Sequence, residues 1–563
     1  MRKRAQRQAI DGNLGRWLDL QRDMQSVLEA RLRERLAGEP PALARYRRAY
    51  ERQFPDWTGR VLSPHRLTAR LREAGVVLVG DFHSLAQSQR TAMRLLRRLV
   101  RAGARPVLAL ETIPAENQTD LEDHLAGRLS EAAFLARMDY ARRWGFAWGP
   151  TRVLLAYARR QDLPVVGLNS LSGAGPGALG ARDRRAAALL AAQRRDAPDR
   201  PVLALVGDYH LAATHLPAAL DAALAGTGDT GRVLRVFQNH EPLYWRSLAA
   251  RGRFAEILEL DGGDLLIQSA TPFVKMQSYL HWLTFRPWLA SGRATPPDPG
   301  ELQEDLGPEI DAAMTRIARY LRIPMLSQAP PRVYWIGQAD FALRVARASG
   351  WREDEIALAQ ASLSRGEDCY LPDRDLALLG EINQNRIAEM AARVLHARSA
   401  GLRPRPRTLA DDFYLRVLRQ ALVFLGSKVI NPLRKSQDMA VLQRLLAEGG
   451  AGRWKRRAEL LLAYLVAEER FLADGDPDRF VPRFFRLDAE THLDLTTAIG
   501  RHLGCRLYDA LIQDAFDRFW LRELYFEPFH LEGSPVRAYF DIMEHLGATE
   551  RAGGLRRRQT ERL

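Results

Sequence analysis

The chain has 563 residues, of which 46% are apolar and 27% charged, and its formal net charge is +15. This length predicts roughly two to four domains with substantial hydrophobic cores. The only two cysteines, Cys369 and Cys505, exclude a disulfide framework and a zinc site built from thiolates.

The positive charge does not predict a nucleic-acid partner. Nearly all of it is arginine, which is dispersed along the chain, and only five lysines occur. No helix-turn-helix, zinc-finger or aromatic-basic RNA motif accompanies the charge, so no nucleic-acid partner is expected.

The sequence gives no sign of a membrane-spanning or secretory segment. No run of eighteen or more apolar residues occurs, and no apolar stretch follows the basic residues near Met1. We therefore expect no signal peptide, no lipobox and no transmembrane span, and a cytoplasmic location.

Residues 1–60 are predicted to form an N-terminal helical arm. Apolar residues recur with helical spacing between 14 and 37, and Gly38-Glu39-Pro40-Pro41 ends that helix. A second short helix is predicted to run to Phe54, before Pro55. We expect the arm to pack on the domain that follows it.

The sequence pattern changes in residues 61–290, where short apolar runs alternate with helical stretches. Continuous apolar runs are typical of strands buried on both faces, and helices between them indicate a parallel sheet. A hairpin at the sheet edge is predicted around Gly262-Gly263, and a closing helix from Pro272 to Leu283. The five predicted strands are 76–79, 106–110, 164–168, 202–206 and 233–237, and the helices between them are 87–102, 115–125, 149–160 and 183–195.

Residues 291–563 begin with a proline-rich linker and then show an almost entirely helical pattern. The predicted helices include 309–321, 376–396, 410–425, 454–472 and 492–519. The predicted fold class is therefore α/β, mainly a parallel sheet with flanking helices, plus a large all-α C-terminal region and a short N-terminal helical arm.

Two predicted strands end in nearly the same tetrapeptide. The first ends in Gly80-Asp81-Phe82-His83 and the fourth in Gly207-Asp208-Tyr209-His210, while the second ends in Glu111. Ligands of an open parallel sheet bind beyond the carboxyl ends of the strands, where all of these residues are expected to lie.

The two motifs and the glutamate offer up to five nitrogen and oxygen donors. An aspartate and a histidine two residues apart in extended chain point the same way. Such a donor set suits a divalent transition metal, which could activate water, and the histidines could equally bind haem iron.

Each of these signals also has a purely structural interpretation. An aspartate after a strand often caps a helix, and Asn169 could simply satisfy loop backbone. His240 and Glu241, after the fifth strand, are peripheral ligand candidates. Trp144, Phe146, Trp148 and Tyr157 could form a wall for a flat ligand, although a place in the core is more common for such residues.

The order of these motifs resembles the ChaN-like family, which is described as haem- or iron-binding uptake proteins related to Tiki metalloproteases, TraB-type proteins and erythromycin esterases. The resemblance covers about residues 61–285. It implies an α/β domain whose site is formed by His83, Glu111 and His210. The family usually has glutamate after the first glycine, where this chain has Asp81.

Three hypotheses follow. In the first, the protein binds haem or a divalent transition metal through His83 and His210, with Tyr209 as a further ligand. In the second, a metal-dependent hydrolase uses His83, His210 and Glu111 to hold a metal-bound water, while Asp81 and Asp208 orient the imidazoles. In the third, the α/β domain is a degenerate scaffold and the helical region binds another protein.

Overall fold

The computed structural model describes most of the chain as two compact units. The α/β unit lies within Gln25–Ala294, and the helical unit lies within Met1–Met24 and Thr295–Arg558. The described residues are 12–35, 41–54, 59–170, 178–225, 232–251, 254–290, 306–325, 328–335, 350–353, 356–357, 359–360, 367–401, 408–434, 442–443, 446–447, 453–474 and 482–551.

The α/β unit contains a mostly parallel sheet of eight described strands in the order β1-β7-β8-β6-β2-β5-β3-β4. All neighbours from β8 to β4 pair in parallel, while β7 is antiparallel to both β8 and β1. The strands are β1 (Gly59–Val61), β2 (Ala74–Asp81), β3 (Val107–Pro114), β4 (Val165–Asn169), β5 (Val202–Gly207), β6 (Arg232–Gln238), β7 (Ile257–Leu260) and β8 (Leu265–Ile267).

The five apolar runs predicted as strands are β2 to β6, and the predicted hairpin is β7 and β8. Gly263 supplies the positive φ of the hairpin turn, at 78°. The hairpin is not the edge of the sheet, because β1 pairs with β7 on its outer side. A three-residue strand with two exposed positions carries too little pattern to be recognised from sequence.

Helices cover both faces of the sheet, which explains why the central strands β2, β3 and β5 are buried along nearly their whole length. Val77 and Val79 of β2 face one core layer, and Val76 and Leu78 face the other. The helices up to the end of this unit are α1 (Gly12–Arg35), α2 (Pro41–Glu51), α3 (Pro64–Glu73), α4 (Ala86–Arg101), α5 (Gln118–Leu125), α6 (Glu131–Arg137), α7 (Tyr140–Arg143), α8 (Gly149–Arg160), α9 (Ala178–Asp196), α10 (Leu216–Leu224), α11 (Glu241–Arg251) and α12 (Pro272–Ala290).

The second core layer includes residues that precede the sheet in the chain. Tyr50 and Phe54, in and just after α2, are buried with residues of α9 and α10 against the sheet. Because apolar burial is worth roughly 1.5–3 kcal/mol for each large side chain, these contacts fix α2 on the α/β unit.

The helical unit is built around one helix that is buried along almost its entire length, α15 (Leu409–Ile430). Gly500 and Gly504 of α18 (Ala489–Ile512) let that helix lie directly against α15, since an added Cβ at either glycine would meet the backbone of α15. The helices described in the C-terminal part of this unit are α13 (Gly307–Leu321), α14 (Gln384–Ala400), α15 (Leu409–Ile430), α16 (Arg453–Asp474), α17 (Pro482–Phe485), α18 (Ala489–Ile512), α19 (Arg518–Phe526) and α20 (Ser534–Arg551).

A small sheet accompanies these helices, and its three described strands are β9 (Arg332–Trp335), β10 (Cys369–Leu371) and β11 (Leu376–Leu379). The sequence predicted one helix over 376–396, whereas the structure has β11 followed by α14. All four residues of β11 are buried, and so short an apolar run cannot be assigned to strand or helix by periodicity alone. Among the described helices, none combines the length and apolar character needed to span a bilayer.

We predict that Gly167→Ala destabilises the α/β unit by about 1–3 kcal/mol. A Cβ at Gly167 in β4 would lie 2.8 Å from the Pro114 carbonyl oxygen and 2.9 Å from that of Ile113, so two strands must separate. The measurement is thermal unfolding followed by circular dichroism. Gly149→Ala is the control, because a Cβ there meets nothing within 4 Å. Equal melting curves for the two variants would contradict the prediction.

Candidate functional site

The two tetrapeptide motifs lie side by side at the carboxyl rim of the sheet. Strands β2 and β5 are adjacent and parallel, and Asp81 stands opposite Gly207 in their register. The second motif continues from β5 into a 3-10 turn, Asp208–Leu211. The rim therefore carries both motifs on neighbouring strands.

His83, Glu111 and His210 converge around Gly207. A Cβ built on Gly207 would lie 3.2 Å from Nε2 of His83, 3.4 Å from Oε2 of Glu111 and 3.5 Å from Cδ2 of His210. The glycine leaves the space in which these side chains meet. The structure thus brings together the three residues that the sequence placed in one pocket.

His83 is oriented by the aspartate of its own motif. Its Nδ1 lies 2.8 Å from Oδ2 of Asp81, and Gln89 donates a hydrogen bond to the other oxygen of that carboxylate. Burial lowers the pKa of His83, but the hydrogen bond with Asp81 and the charges of Asp81 and Glu111 raise it above its usual value. Nε2 is left to face Gly207.

His210 is held between two carboxylates. Its Nδ1 lies 2.6 Å from Oδ1 of Asp183, and its Nε2 lies 3.3 Å from Oε1 of Glu111. Burial lowers the pKa of His210, yet the charges of Glu111 and Asp183 and its hydrogen bonds with both raise it well above the usual value. Burial raises the pKa of Glu111, but the two imidazoles and the N–H of Gly207 together lower it below the usual value.

The N-terminal helical arm contributes a tyrosine to this network. The hydroxyl of Tyr46, in α2, donates to Oδ2 of Asp183 and lies 2.9 Å from Nδ1 of His210. Burial, followed by the charge of Asp183, raises the pKa of Tyr46 far above its usual value, so the hydroxyl keeps its proton.

Asp208 does not orient His210, which corrects the role that the sequence suggested for it. Its Oδ2 accepts a hydrogen bond from Nζ of Lys275 at 3.0 Å, and Asp183 takes the place beside His210. The reason is that β5 gives way to a 3-10 turn at Asp208, so the extended spacing that puts residues i and i+2 on one side is lost.

Tyr209 packs away from the other motif residues. Its ring lies against the core layer that contains Tyr50, with ring centroids 5.6 Å apart, and the side chain is half-buried. Its carbonyl oxygen lies 2.8 Å from Nδ1 of His215. The structure thus separates Tyr209 from the cluster of His83, Glu111 and His210.

Aromatic side chains line the other side of His83. The ring centroid of Trp144 lies 4.6 Å from that of His83, and the centroid of Phe146 lies 5.2 Å from it. Phe146 in turn stacks on Trp282 at 4.5 Å. We call Phe82, Trp144, Phe146, Tyr279 and Trp282 the aromatic wall; each is partly exposed and in ring contact with another member.

The remaining candidates from the sequence have structural partners. Trp148 and Tyr157 are buried in the core, unlike Trp144 and Phe146. Asn169 accepts a hydrogen bond from the N–H of Ser170. His240 packs on Phe54, and burial followed by the charge of Lys275 lowers its pKa to about 3, so it is neutral.

The sequence did not predict that Tyr46, Gln89, Asp183 and Lys275 take part in the site. Nothing in the spacing of the chain links Tyr46 or Asp183 to the strand ends, since they lie on helices remote from them in sequence. Lys275 could have been singled out from the sequence, because lysine is rare in a chain that otherwise uses arginine as its basic residue.

No group of three or more histidine, cysteine, aspartate or glutamate side chains is arranged to hold a metal ion within the ranges that the structure describes. At the rim, both ring nitrogens of His210 already face carboxylates, and Glu111 accepts from the N–H of Gly207. The nitrogen that these contacts leave uncommitted is Nε2 of His83.

Comparison with known proteins finds a similarity for part of the α/β unit. Residues 67–172 match the family model described as haem-binding uptake, Tiki superfamily, ChaN. This segment of the chain is therefore similar to that family. It contains Asp81, His83, Glu111 and two members of the aromatic wall that follow them, Trp144 and Phe146, and it ends before the second motif.

One solved structure that matches is titled "Cofacial heme binding to ChaN of Campylobacter jejuni". It is 14% identical to this chain, covers 32% of this chain and 87% of its own, and has a TM-score of 0.25. No curated protein matches the chain.

We predict that Glu111→Gln lowers the pKa of both His83 and His210 in the ligand-free protein, because the charge of Glu111 raises both. The measurement is an NMR titration of the ring resonances with ¹⁵N-labelled histidine. Glu73→Gln, at an exposed position of α3, is the control. Unchanged titration of both histidines in Glu111→Gln would contradict the electrostatic coupling.

Proposed function

We propose that the α/β unit binds haem at the carboxyl rim of its sheet, with Nε2 of His83 as an iron ligand. The observation that carries the proposal is that Nδ1 of His83 pairs with Asp81 while Nε2, which faces Gly207, has no hydrogen-bond partner among the described residues. The ring of the same histidine also contacts the aromatic wall. A carboxylate on one nitrogen fixes the tautomer and orientation of a histidine that binds a metal through the other.

The aromatic wall fits the shape and polarity of a porphyrin. Trp144 and Phe146 contact His83, and the stacked rings of Phe146 and Trp282 extend the apolar surface away from it. Flat apolar ligands are stabilised by stacking on such rings and by removal of their surface from water. Bound haem would supply an iron centre, and the wall would shield one face of the ring system from solvent.

His210 and Glu111 have a different part in this proposal. Because His210 is held between Glu111 and Asp183, it would stay in place as a hydrogen-bonding group beside the iron ligand. Tyr209 is a second candidate iron ligand, since a phenolate oxygen also binds haem iron. Its position against Tyr50 requires its side chain to turn before it could do so.

The ChaN-like segment supports haem as the ligand. The matching family is described as haem-binding, and the matched residues include His83 and two residues of the aromatic wall. The matched segment therefore includes the residues of the rim at which His83 contacts Trp144 and Phe146.

We predict that haem added to the wild-type protein gives a saturable Soret band and that His83→Ala weakens binding by about tenfold or more, because an iron–nitrogen bond is lost. The measurement is an absorption titration with haemin. His65→Ala, at an exposed position on α3, is the control. A Soret band that survives replacement of both His83 and His210 would overturn the proposal.

We predict that Trp144→Ala weakens haem binding without shifting the Soret band, because the wall is shortened while the iron ligand remains. The same titration measures both properties. Phe519→Ala is the control, since Phe519 is a 45% exposed aromatic residue of the helical unit. Unchanged haem affinity in Trp144→Ala would show that the aromatic wall is not part of the haem-binding site.

A metal-dependent hydrolase is the second candidate. The observation that favours it is the carboxylate–imidazole–carboxylate arrangement of Asp183, His210 and Glu111, which is suited to moving a proton. In this case Glu111→Gln would abolish turnover while leaving the fold intact.

Elemental analysis and an absorption spectrum of freshly purified protein separate these functions. Haem binding gives a Soret band, and a divalent hydrolase gives a stoichiometric transition metal without one. Protein that contains neither, and binds neither when offered, would favour the helical unit as the working part, with a protein partner.

A further inference from the structure

A cavity of about 590 Å³ lies between α2, α9 and α10 in the α/β unit. Its polar lining comprises Arg45, Tyr46, Asp183, Arg184, Thr214 and His215. The volume is in the range of sites that hold small molecules. Tyr46 and Asp183 separate the cavity from His210, so it is distinct from the space around Gly207.

Two arginines lining this cavity have no acidic partner among the described residues. Neither Arg45 nor Arg184 makes an ion pair or a hydrogen bond there. The neighbouring Arg185, by contrast, pairs with Glu116 at 3.0 Å. Asp183, the one acidic side chain in the described lining, is already engaged by Tyr46 and His210. The cavity therefore has an excess of positive charge.

Two helices begin at the cavity, and their N-terminal ends add partial positive charge to it. Leu179 and Gly180 in the first turn of α9, and Ala218 and Ala219 in the first turn of α10, also line the cavity. Helix N-termini carry partial positive charge and unsatisfied N–H groups. Together with the two guanidinium groups they form a setting that favours a dianion such as a phosphate group.

The cavity is much larger than a phosphate group, and one wall is aromatic. The rings of Tyr46 and His215 are stacked, with centroids 3.6 Å apart and planes 5° from parallel. Small apolar side chains, including Ala42, complete the lining. These surfaces suit an organic group attached to the phosphate.

We propose that this cavity binds a small phosphate monoester, with Arg45 and Arg184 holding the phosphate and the Tyr46–His215 pair contacting the organic group. The proposal is independent of haem binding, because none of its ligand-contacting groups belongs to the aromatic wall or to His83. Guanidinium groups are suited to this task since they donate paired hydrogen bonds to phosphate oxygens.

The test uses phenyl phosphate, inorganic phosphate and phenol as probes in isothermal titration of the full-length protein at constant ionic strength. We expect saturable binding of phenyl phosphate, weaker binding of inorganic phosphate and no binding of phenol. Arg45→Gln/Arg184→Gln is expected to weaken phenyl phosphate binding by about tenfold or more, because two charge-assisted contacts are lost.

The matched control is Arg48→Gln/Arg195→Gln. It removes the same charge from exposed positions of the same two helices but outside the cavity lining, so phenyl phosphate should bind as to the wild type. A second variant, Ala218→Glu, places a carboxylate in the cavity and should also weaken binding. Equal weakening by both double-arginine variants would overturn the proposal. Absence of saturable phenyl phosphate binding to the wild type up to about 1 mM would overturn it as well.

Discussion

The parallel pairing of β2 with β5 is the constraint on which the candidate site depends. These strands are hydrogen-bonded neighbours although about 120 residues separate them in the chain, and their register sets Asp81 opposite Gly207. The pairing places the two motifs side by side, whereas the sequence shows only that the motifs are alike. Gly207 completes the arrangement, because any side chain there would occupy the space shared by His83, Glu111 and His210.

The rim buries several charged groups, and each is matched by a partner. Asp81 pairs with His83, Glu111 and Asp183 flank His210, and Asp208 pairs with Lys275. Burying a charge is costly unless a partner and hydrogen bonds compensate it, and removing one member leaves the other exposed to that cost. Each buried charge therefore depends on its partner staying in place, and this dependence holds the side chains around His83 in position.

The sequence predicted the parts of this fold that follow from local pattern. The apolar runs of β2 to β6 are long enough to identify buried strands, and polar residues at their ends mark the rim. The ChaN-like resemblance adds the expected residues His83, Glu111 and His210, and the structure brings them together.

What the sequence missed depends on contacts between distant segments. Asp183 reaches His210 only because α9 packs beside β5's end, and Asp208 turns to Lys275 only because a 3-10 turn replaces extended chain. The strand β11 escaped prediction for a local reason, since four apolar residues fit a buried helix as well as a strand. The sequence therefore did not predict which side chains of distant segments pair, nor whether a very short apolar segment forms a strand.

The position of Tyr46 also defines how the α/β unit can be isolated. A fragment that begins at residue 61, where the sheet pattern starts, lacks the hydroxyl that holds Asp183 and the side chains of Tyr50 and Phe54, which are buried in one core layer. Such a fragment would expose apolar surface and loosen the group that orients His210. Residues before the sheet are thus part of the domain's folding unit, and its useful N-terminal boundary lies ahead of α2.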